Sequence, residues 1–197
     1  MITMIRVFIL ATVLTSCNSL PTLSIIKDSK NILFGYPALE VTKSLYESYE
    51  YSFATLRIGN GPESIIILKE YDKGLATWVS EDNIQITSLD GLIIETSGLE
   101  HDYKLINTDN KRTTVLYKNP DRIFFQNITN IEESLKEYSI FDEDYVSDVI
   151  EKKVLIENKG LRSFVDTFII YDNKVVKATQ QLHPFYDKFE IRYFYKY

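Results

Sequence analysis

The sequence predicts a mainly β protein, with a single antiparallel curled sheet or barrel-like domain and a short N-terminal helix. Tyr (14 residues) and Phe (11) are plentiful while Gly (7) and Pro (5) are scarce, a composition that suits strands and sheet faces. Over most of the chain, runs of aromatic and β-branched residues are separated by turn signals. The last run alternates, with one face formed by Phe189, Ile191, Tyr193, Tyr195 and Tyr197. We therefore expect about ten antiparallel strands.

The N-terminus predicts a secretory signal peptide over residues 1–16. One charge, Arg6, comes early in a short apolar run, and Leu14-Thr15-Ser16 stand before Cys17, the lipobox pattern of bacterial lipoproteins. In such proteins the thiol takes a diacylglycerol, with acyl chains such as palmitate, and becomes the new N-terminus. The apolar run is shorter than the about 20 residues of a transmembrane helix. We expect Cys17 to anchor a single all-β lipoprotein domain, residues 17–197; an ordinary signal peptide with an incidental Cys is the alternative.

The first element predicted after the anchor is a helix near 23–34. Ile and Leu recur there at one-face helical spacing, and Gly35 lies at the C-cap position. Strands then follow at 51–58 and 64–71, with a Gly-Asn-Gly-Pro turn between them. These two runs begin the predicted sheet.

The clearest local signal is a β-hairpin centred on Asp90-Gly91. The runs 84–87 and 92–96 flank it, and an Asp-Gly turn adopts the positive φ angles that two-residue hairpins require. The middle of the chain is harder to interpret: it predicts strands at 112–118 and 122–128 and leaves a helix open at 130–138. The C-terminal part again predicts strands, at the ranges 146–157, 161–171, 174–182 and the final run.

Net charge and cysteine content exclude several classes of function. The chain has 22 basic and 28 acidic residues, and removal of 1–16 takes only Arg6, which leaves 21 against 28 and a charge of −7. This acidic balance disfavours nucleic-acid binding and electrostatic adhesion to anionic lipid, so acyl chains must hold the membrane. Cys17 is the only cysteine, so no disulfide or thiolate metal site is expected. Asn18, in place of the Asp that signals inner-membrane retention, favours the outer membrane.

Several segments resemble one protein family. These are 54–62, 78–80, 86–99 and 175–184, the last reading Val-Val-Lys-Ala-Thr-Gln-Gln-Leu-His-Pro. Together with the lipobox and the length, they are similar to the YjbF/GfcB family of group 4 capsule polysaccharide lipoproteins. The family's recurring positions correspond to Trp78, Gly91, Gly98, Gln181 and Pro184, which look structural at least as much as functional.

The resemblance implies a non-enzymatic outer-membrane lipoprotein that faces the periplasm and assists capsule or exopolysaccharide production, export or assembly. It implies partners among polysaccharide-export proteins or the glycan itself, and no cofactor. The residues alone agree that catalysis has little support. His101 lies between acids in a polar loop, His183 precedes Pro184, and no metal-binding spacing is present. The acidic clusters are typical of solvated surface: Glu81-Asp82, Glu132-Glu133 and Asp142-Glu143-Asp144.

Three functions therefore remain open. The first is the accessory lipoprotein that binds a partner or glycan; Tyr193, Tyr195 and Tyr197 either stack on sugars or, as we prefer, line the core. The second is a periplasmic lipid or lipoprotein carrier, which requires a large apolar cavity. The third is a glycan hydrolase, which requires two carboxylates converging in a groove.

Overall fold

The computed structural model describes residues 35–107, 111–117, 121–141 and 144–196, and these form a closed antiparallel barrel of twelve strands. Its strands are β1 (Phe53–Ile58), β2 (Ser64–Asp72), β3 (Leu75–Ser80), β4 (Gln85–Leu89), β5 (Leu92–Ser97), β6 (Asp102–Asn107), β7 (Lys111–Tyr117), β8 (Arg122–Phe141), β9 (Asp144–Asn158), β10 (Phe164–Tyr171), β11 (Lys174–Gln180) and β12 (Phe189–Phe194). Each strand pairs with its sequence neighbours, and β1 pairs with β12 to close the barrel. The mainly β, antiparallel, barrel-like prediction is confirmed.

The predicted Asp90-Gly91 hairpin turn joins β4 to β5. Asp90 and Gly91 have φ of 47° and 80°, the left-handed backbone that this turn requires. A Cβ at Gly91 would also lie 2.6 Å from the Cβ of Val175. Glycine is therefore needed here for its backbone conformation and for the close approach of β11.

Alternation along the strands decides which side chains fill the barrel. On β12, Phe189, Ile191 and Tyr193 belong to the interior core, as the sequence pattern predicted. Phe194 breaks the alternation and belongs to a separate cluster, where its ring stacks on Phe53 at 4.9 Å between centroids. Tyr197 lies outside the described residues.

That separate cluster is formed with the segment before β1. It includes Leu39, Val41 and side chains of the helix α1 (Lys43–Ser48). Within the described ranges α1 is the one helix, and it begins after the N-cap Thr42. The short N-terminal helix is thus confirmed, whereas the predicted helix near 23–34 lies outside the described residues. None of the described segments forms a helix long and apolar enough to cross a membrane.

A carboxylate on the β1–β2 turn holds this segment. Glu63 accepts the Leu39 N–H at 2.7 Å and lies 3.1 Å from Arg192 and 3.3 Å from Arg57. Burial disfavours its charge, but hydrogen bonds from Thr55 and Leu39 and the Arg192 guanidinium outweigh burial and hold the pKa of Glu63 below its ordinary value. Glu63 therefore ties the backbone at Leu39 to Arg192 of β12.

The middle of the chain differs from the expectation. The stretch 130–138, where the sequence left a helix open, is part of the long strand β8, which pairs with β9 along most of its length. Opposite charges meet across this hairpin: Lys153 lies 2.8 Å from Glu132, and Lys136 lies 2.6 Å from Glu151. β6 was not expected either, so the described barrel has twelve strands against about ten predicted.

Candidate functional site

One end of the barrel holds a cavity of about 540 Å³, which we call the mouth. Three turns contribute to its rim: β2–β3 with Gly74, β4–β5 with Asp90 and Gly91, and β10–β11 with Asn173. Each of these turns leaves two residues between its strands, which is too short to fold across the barrel. The volume lies within the range of about 300–1,000 Å³ that is usual for ligand sites.

The wall of the mouth is largely apolar and aromatic. β10 and β11 contribute Phe168, Ile170 and Val175, and Tyr195 follows the end of β12. The Tyr195 ring stacks on Tyr193 at 5.9 Å, and Tyr193 in turn lies 5.3 Å from the buried ring of Trp78. The packed core therefore supports the aromatic part of the wall.

The charges that line the mouth are mainly basic. Arg112, Lys152 and Lys174 line it together with a single described carboxylate, that of Asp90. Lys152 lies 3.8 Å from Glu133 and keeps 34% of its side chain exposed, and Lys174 lies 5.6 Å from the centre of the Tyr195 ring. Because acids outnumber bases in the whole chain, 28 to 22, this basic lining is a local feature.

Arg112 is the most buried charge of the lining, with 6% of the residue exposed. Its Nη1 lies 3.4 Å from Oδ2 of Asp166, and its Nε–H has no hydrogen-bond partner among the described residues. The other oxygen of Asp166 accepts the Gln181 N–H at 2.9 Å. Burial raises the pKa of Asp166 to about 6, although Arg112 and the Gln181 N–H oppose the shift. One charged pair therefore lies between the mouth and the core.

Two of the residues predicted from the family resemblance lie near the mouth. Trp78 is fully buried on β3 and its indole N–H donates to Ser88 at 3.4 Å. Gly91 lines the mouth, and its carbonyl accepts hydrogen bonds from the Gln180 amide at 2.8 Å and the Tyr193 hydroxyl at 3.4 Å. These contacts tie the β4–β5 turn to β11 and β12.

The other three lie toward the opposite end of the barrel. Gly98, with φ of 89°, directly follows β5 and donates its N–H to Asp102 at 3.3 Å. Gln181 donates its side-chain amide to the Tyr186 carbonyl at 3.1 Å. Pro184 lies in the same β11–β12 loop, residues 181–188. The structure thus does not bring all five predicted positions together, and Cys17 lies outside the described residues.

The β11–β12 loop packs over the end opposite the mouth, which we call the packed end. Leu182 belongs to the interior core, and His183 is fully buried with its ring 3.8 Å from that of Phe124. Burial, with help from Arg122, lowers the pKa of His183 to about 4, so this histidine is neutral at neutral pH. A hollow of about 330 Å³ remains at this end, lined by His101, Leu116, Arg122, Phe185 and Tyr186.

The candidate groups for catalysis are dispersed. His101 lies 3.9 Å from Glu100, and no group of three or more His, Cys, Asp or Glu able to hold a metal occurs within the described ranges. Glu81-Asp82 lies in the β3–β4 turn and Glu132-Glu133 on β8, whereas residues 142–143 are outside the described chain. None of the acids that the sequence proposed is among the residues of the mouth.

The sequence interpretation missed Arg112, Lys152, Lys174 and Asp166. A weak signal exists for Arg112, because it shares the inner face of β7 with Thr114 and Leu116, and a charge on a core face is unusual. Its partner Asp166 lies 54 residues away. Only the closed barrel brings the two strands together.

Comparison with known protein families shows which family the chain belongs to. The sequence pattern of the family described as group 4 capsule polysaccharide lipoprotein GfcB, YjbF matches residues 26–194. The chain belongs to the YjbF family. This match extends through all twelve strands, so the resemblance inferred from a few segments is confirmed.

The fold of this chain is also found among solved structures. The chain is similar to the crystal structure of the hypothetical lipoprotein YmcC from Escherichia coli K12, with a TM-score of 0.67 and 16% identity over 80% of this chain and 90% of that chain. At this identity the likeness supports the shared fold alone. A search of curated proteins found no match.

Proposed function

We propose that this YjbF-family protein is a lipid-anchored accessory to capsule or exopolysaccharide production, export or assembly. It acts without catalysis, by binding the glycan or a partner protein. The observation that carries the proposal is the mouth, a basic-lined cavity in the barrel of a capsule polysaccharide lipoprotein family. A rigid barrel with one lined end suits binding, because its ligand groups are held in place before the ligand arrives.

The anchor belongs to the same proposal. Residues 1–16 are removed as a signal peptide, Cys17 carries the lipid, and Asn18 sends the protein to the outer membrane, where the barrel faces the periplasm. In this arrangement the barrel stays close to the membrane through which the polymer is exported. The acyl chains, rather than basic patches, hold an acidic protein there.

The lining of the mouth supports binding over hydrolysis. Glycosidases place two carboxyl groups about 5 to 9.5 Å apart around the scissile bond. Among the described residues that line the mouth, Asp90 supplies the one carboxylate, and it lies on the rim turn.

A lipid or lipoprotein carrier is the second candidate. The apolar wall from Phe168, Ile170 and Val175 is the observation that favours it. A carrier would lose lipid transfer when the mouth is altered and would leave surface polysaccharide unchanged.

Deletion of the gene, scored for surface polysaccharide, tests the proposed function. We expect loss of the polymer, restored by the wild type but not by a form secreted through a non-lipid signal peptide with Cys17→Ala. Unchanged polysaccharide together with a defect in envelope lipid or lipoprotein sorting would contradict the proposal and favour the carrier.

A further inference from the structure

We propose that the mouth binds an acidic sugar unit of the polymer, one that carries a carboxylate such as a uronic acid. This inference rests on the proposed function and names the ligand of its site. Three observations support it: the charged side chains of the lining, the buried Arg112 and the chemistry of the wall.

The local charge selects an anion. Three cations and one acid line the cavity, although the acids of the whole chain are in excess; Arg112 pairs with Asp166, and Lys152 lies 3.8 Å from Glu133. Low-dielectric walls strengthen the attraction between these cations and a ligand anion, relative to the attraction that exposed lysines would exert. A neutral sugar would gain nothing from this arrangement.

Arg112 supplies the directional part of the site. Its guanidinium carries five N–H donors in a planar fork that matches a carboxylate. One donor faces Asp166 at 3.4 Å, and the Nε–H has no partner within the described chain. A ligand carboxylate would satisfy a buried donor that otherwise costs free energy.

The wall favours a sugar over an acyl chain. Sugar rings present C–H faces that stack on aromatic rings, and Tyr71, Phe168 and Tyr195 line the mouth. Polar side chains, Ser88, Asn130 and Asn173, are interspersed with the apolar ones. An alkyl chain that filled the cavity would leave the Nε–H of Arg112 without a hydrogen-bond partner, which is unfavourable.

Binding is measured by titrating the full-length lipoprotein in detergent with a defined oligogalacturonate, and with a neutral cello-oligosaccharide of the same length. We expect saturable binding of the acidic oligomer that weakens as salt is raised, and binding at least tenfold weaker for the neutral one. Native mass spectrometry of the same preparation reports whether a phospholipid occupies the barrel instead.

Two mouth variants and one control variant locate the site. Lys152→Gln with Lys174→Gln should weaken the acidic oligomer about fivefold. Lys69→Gln with Lys159→Gln alters two exposed lysines that are not among the residues lining the mouth, removes the same charge and should leave affinity within about twofold. Arg112→Lys keeps the charge beside Asp166 but loses the planar fork, and should weaken binding about tenfold while circular dichroism shows an intact barrel.

In the binding titrations, any of three results would overturn the inference: no binding of the acidic oligomer, equal binding of the neutral one, or equal losses in the mouth and control variants. A bound phospholipid that the oligomer does not displace would also overturn it and favour the carrier. The deletion strain separates this failure from that of the proposed function. If deletion removes the polysaccharide but both mouth variants restore it fully, the ligand site is wrong and the accessory role stands.

Discussion

The two ends of the barrel are built from the same strands but differ in their connecting segments and in how completely their interior is filled. At the packed end the eight-residue loop 181–188 turns inward, where Leu182 and His183 are buried against the core. At the mouth the three rim turns have two residues each, and the interior keeps a cavity of about 540 Å³ whose largely apolar lining includes three cations. Burial at the packed end contributes stability, whereas the mouth leaves apolar and charged groups without full cover. The difference suggests that one end maintains the fold and the other binds.

Leucine truncation at each end gives the largest expected contrast. Leu182→Ala, at a residue 4% exposed, should lower the free energy of unfolding by about 2–5 kcal/mol because it leaves a cavity in the core. Leu89→Ala removes the same atoms at the mouth, where the residue is 37% exposed, and should cost about 1 kcal/mol or less. Urea unfolding measures both, and equal losses would contradict the distinction between the ends.

Glycine substitution should reverse this order, with the larger loss of stability at the mouth. Gly91→Ala places a Cβ 2.6 Å from Val175 on a backbone of φ 80°, and should cost about 2–4 kcal/mol. Gly160→Ala in the β9–β10 turn has φ of 76° but no atom within 4 Å of the new Cβ, so about 1–2 kcal/mol of backbone strain remains. If thermal unfolding shows the same loss for both, the packing of Gly91 on Val175 is not what the structure indicates.

Two carboxylates paired with arginine should respond to pH in opposite directions. The pKa of Asp166 is raised by burial to about 6 from 3.8, so its contribution to stability is present below pH 3.8 and is lost as pH rises through 6. The free energy of unfolding of the wild type relative to Asp166→Asn should therefore fall between pH 4 and pH 7, on the order of 1–3 kcal/mol.

Glu63 should behave in the reverse way, because hydrogen bonds and Arg192 lower its pKa from 4.5 despite burial. Its contribution is present above pH 4.5 and is lost as pH falls through the lower folded value. Denaturant unfolding of the wild type and Glu63→Gln should thus converge at acid pH. Parallel pH profiles for Asp166→Asn and Glu63→Gln would show that burial and pairing do not differ at the two sites as described.

The smallest effect on stability is expected at the mouth lysines. Lys152→Gln with Lys174→Gln should change the free energy of unfolding by about 0.5 kcal/mol or less, because half-exposed ion pairs contribute little. Paired with the fivefold weaker binding predicted above, this would separate binding from folding. A loss of several kcal/mol would instead give these lysines a structural role.

The sequence predicted what local patterns determine. Alternation placed Phe189, Ile191 and Tyr193 in the core, and Asp90-Gly91 marked a hairpin whose φ angles the structure confirms. A helix was left open at residues 130–138 because Glu and Lys favour helices and Ile131, Leu135 and Tyr138 recur at helical spacing. Pairing with β9 overrides that preference, and the cross-strand Glu–Lys pairs exist only once the hairpin forms.

The mouth could not be predicted, because its charges come from distant parts of the chain. Arg112, Lys152 and Lys174 lie on β7, β9 and β11, which a closed barrel alone brings to one end. Arg112 and Asp166 form a pair across 54 residues, and a single sequence carries no signal for that contact. Local rules give strands and turns, while the site depends on register and closure.

The most direct test of the account is an NMR titration of the isotopically labelled protein with oligogalacturonate. We expect amide shifts to concentrate in the three rim turns, at Gly74, Gly91 and Asn173, with no change in the loop 181–188. Shifts confined to the packed end or to the outer strand faces, or no shifts even at excess oligogalacturonate, would contradict the assignment of the mouth as the binding end.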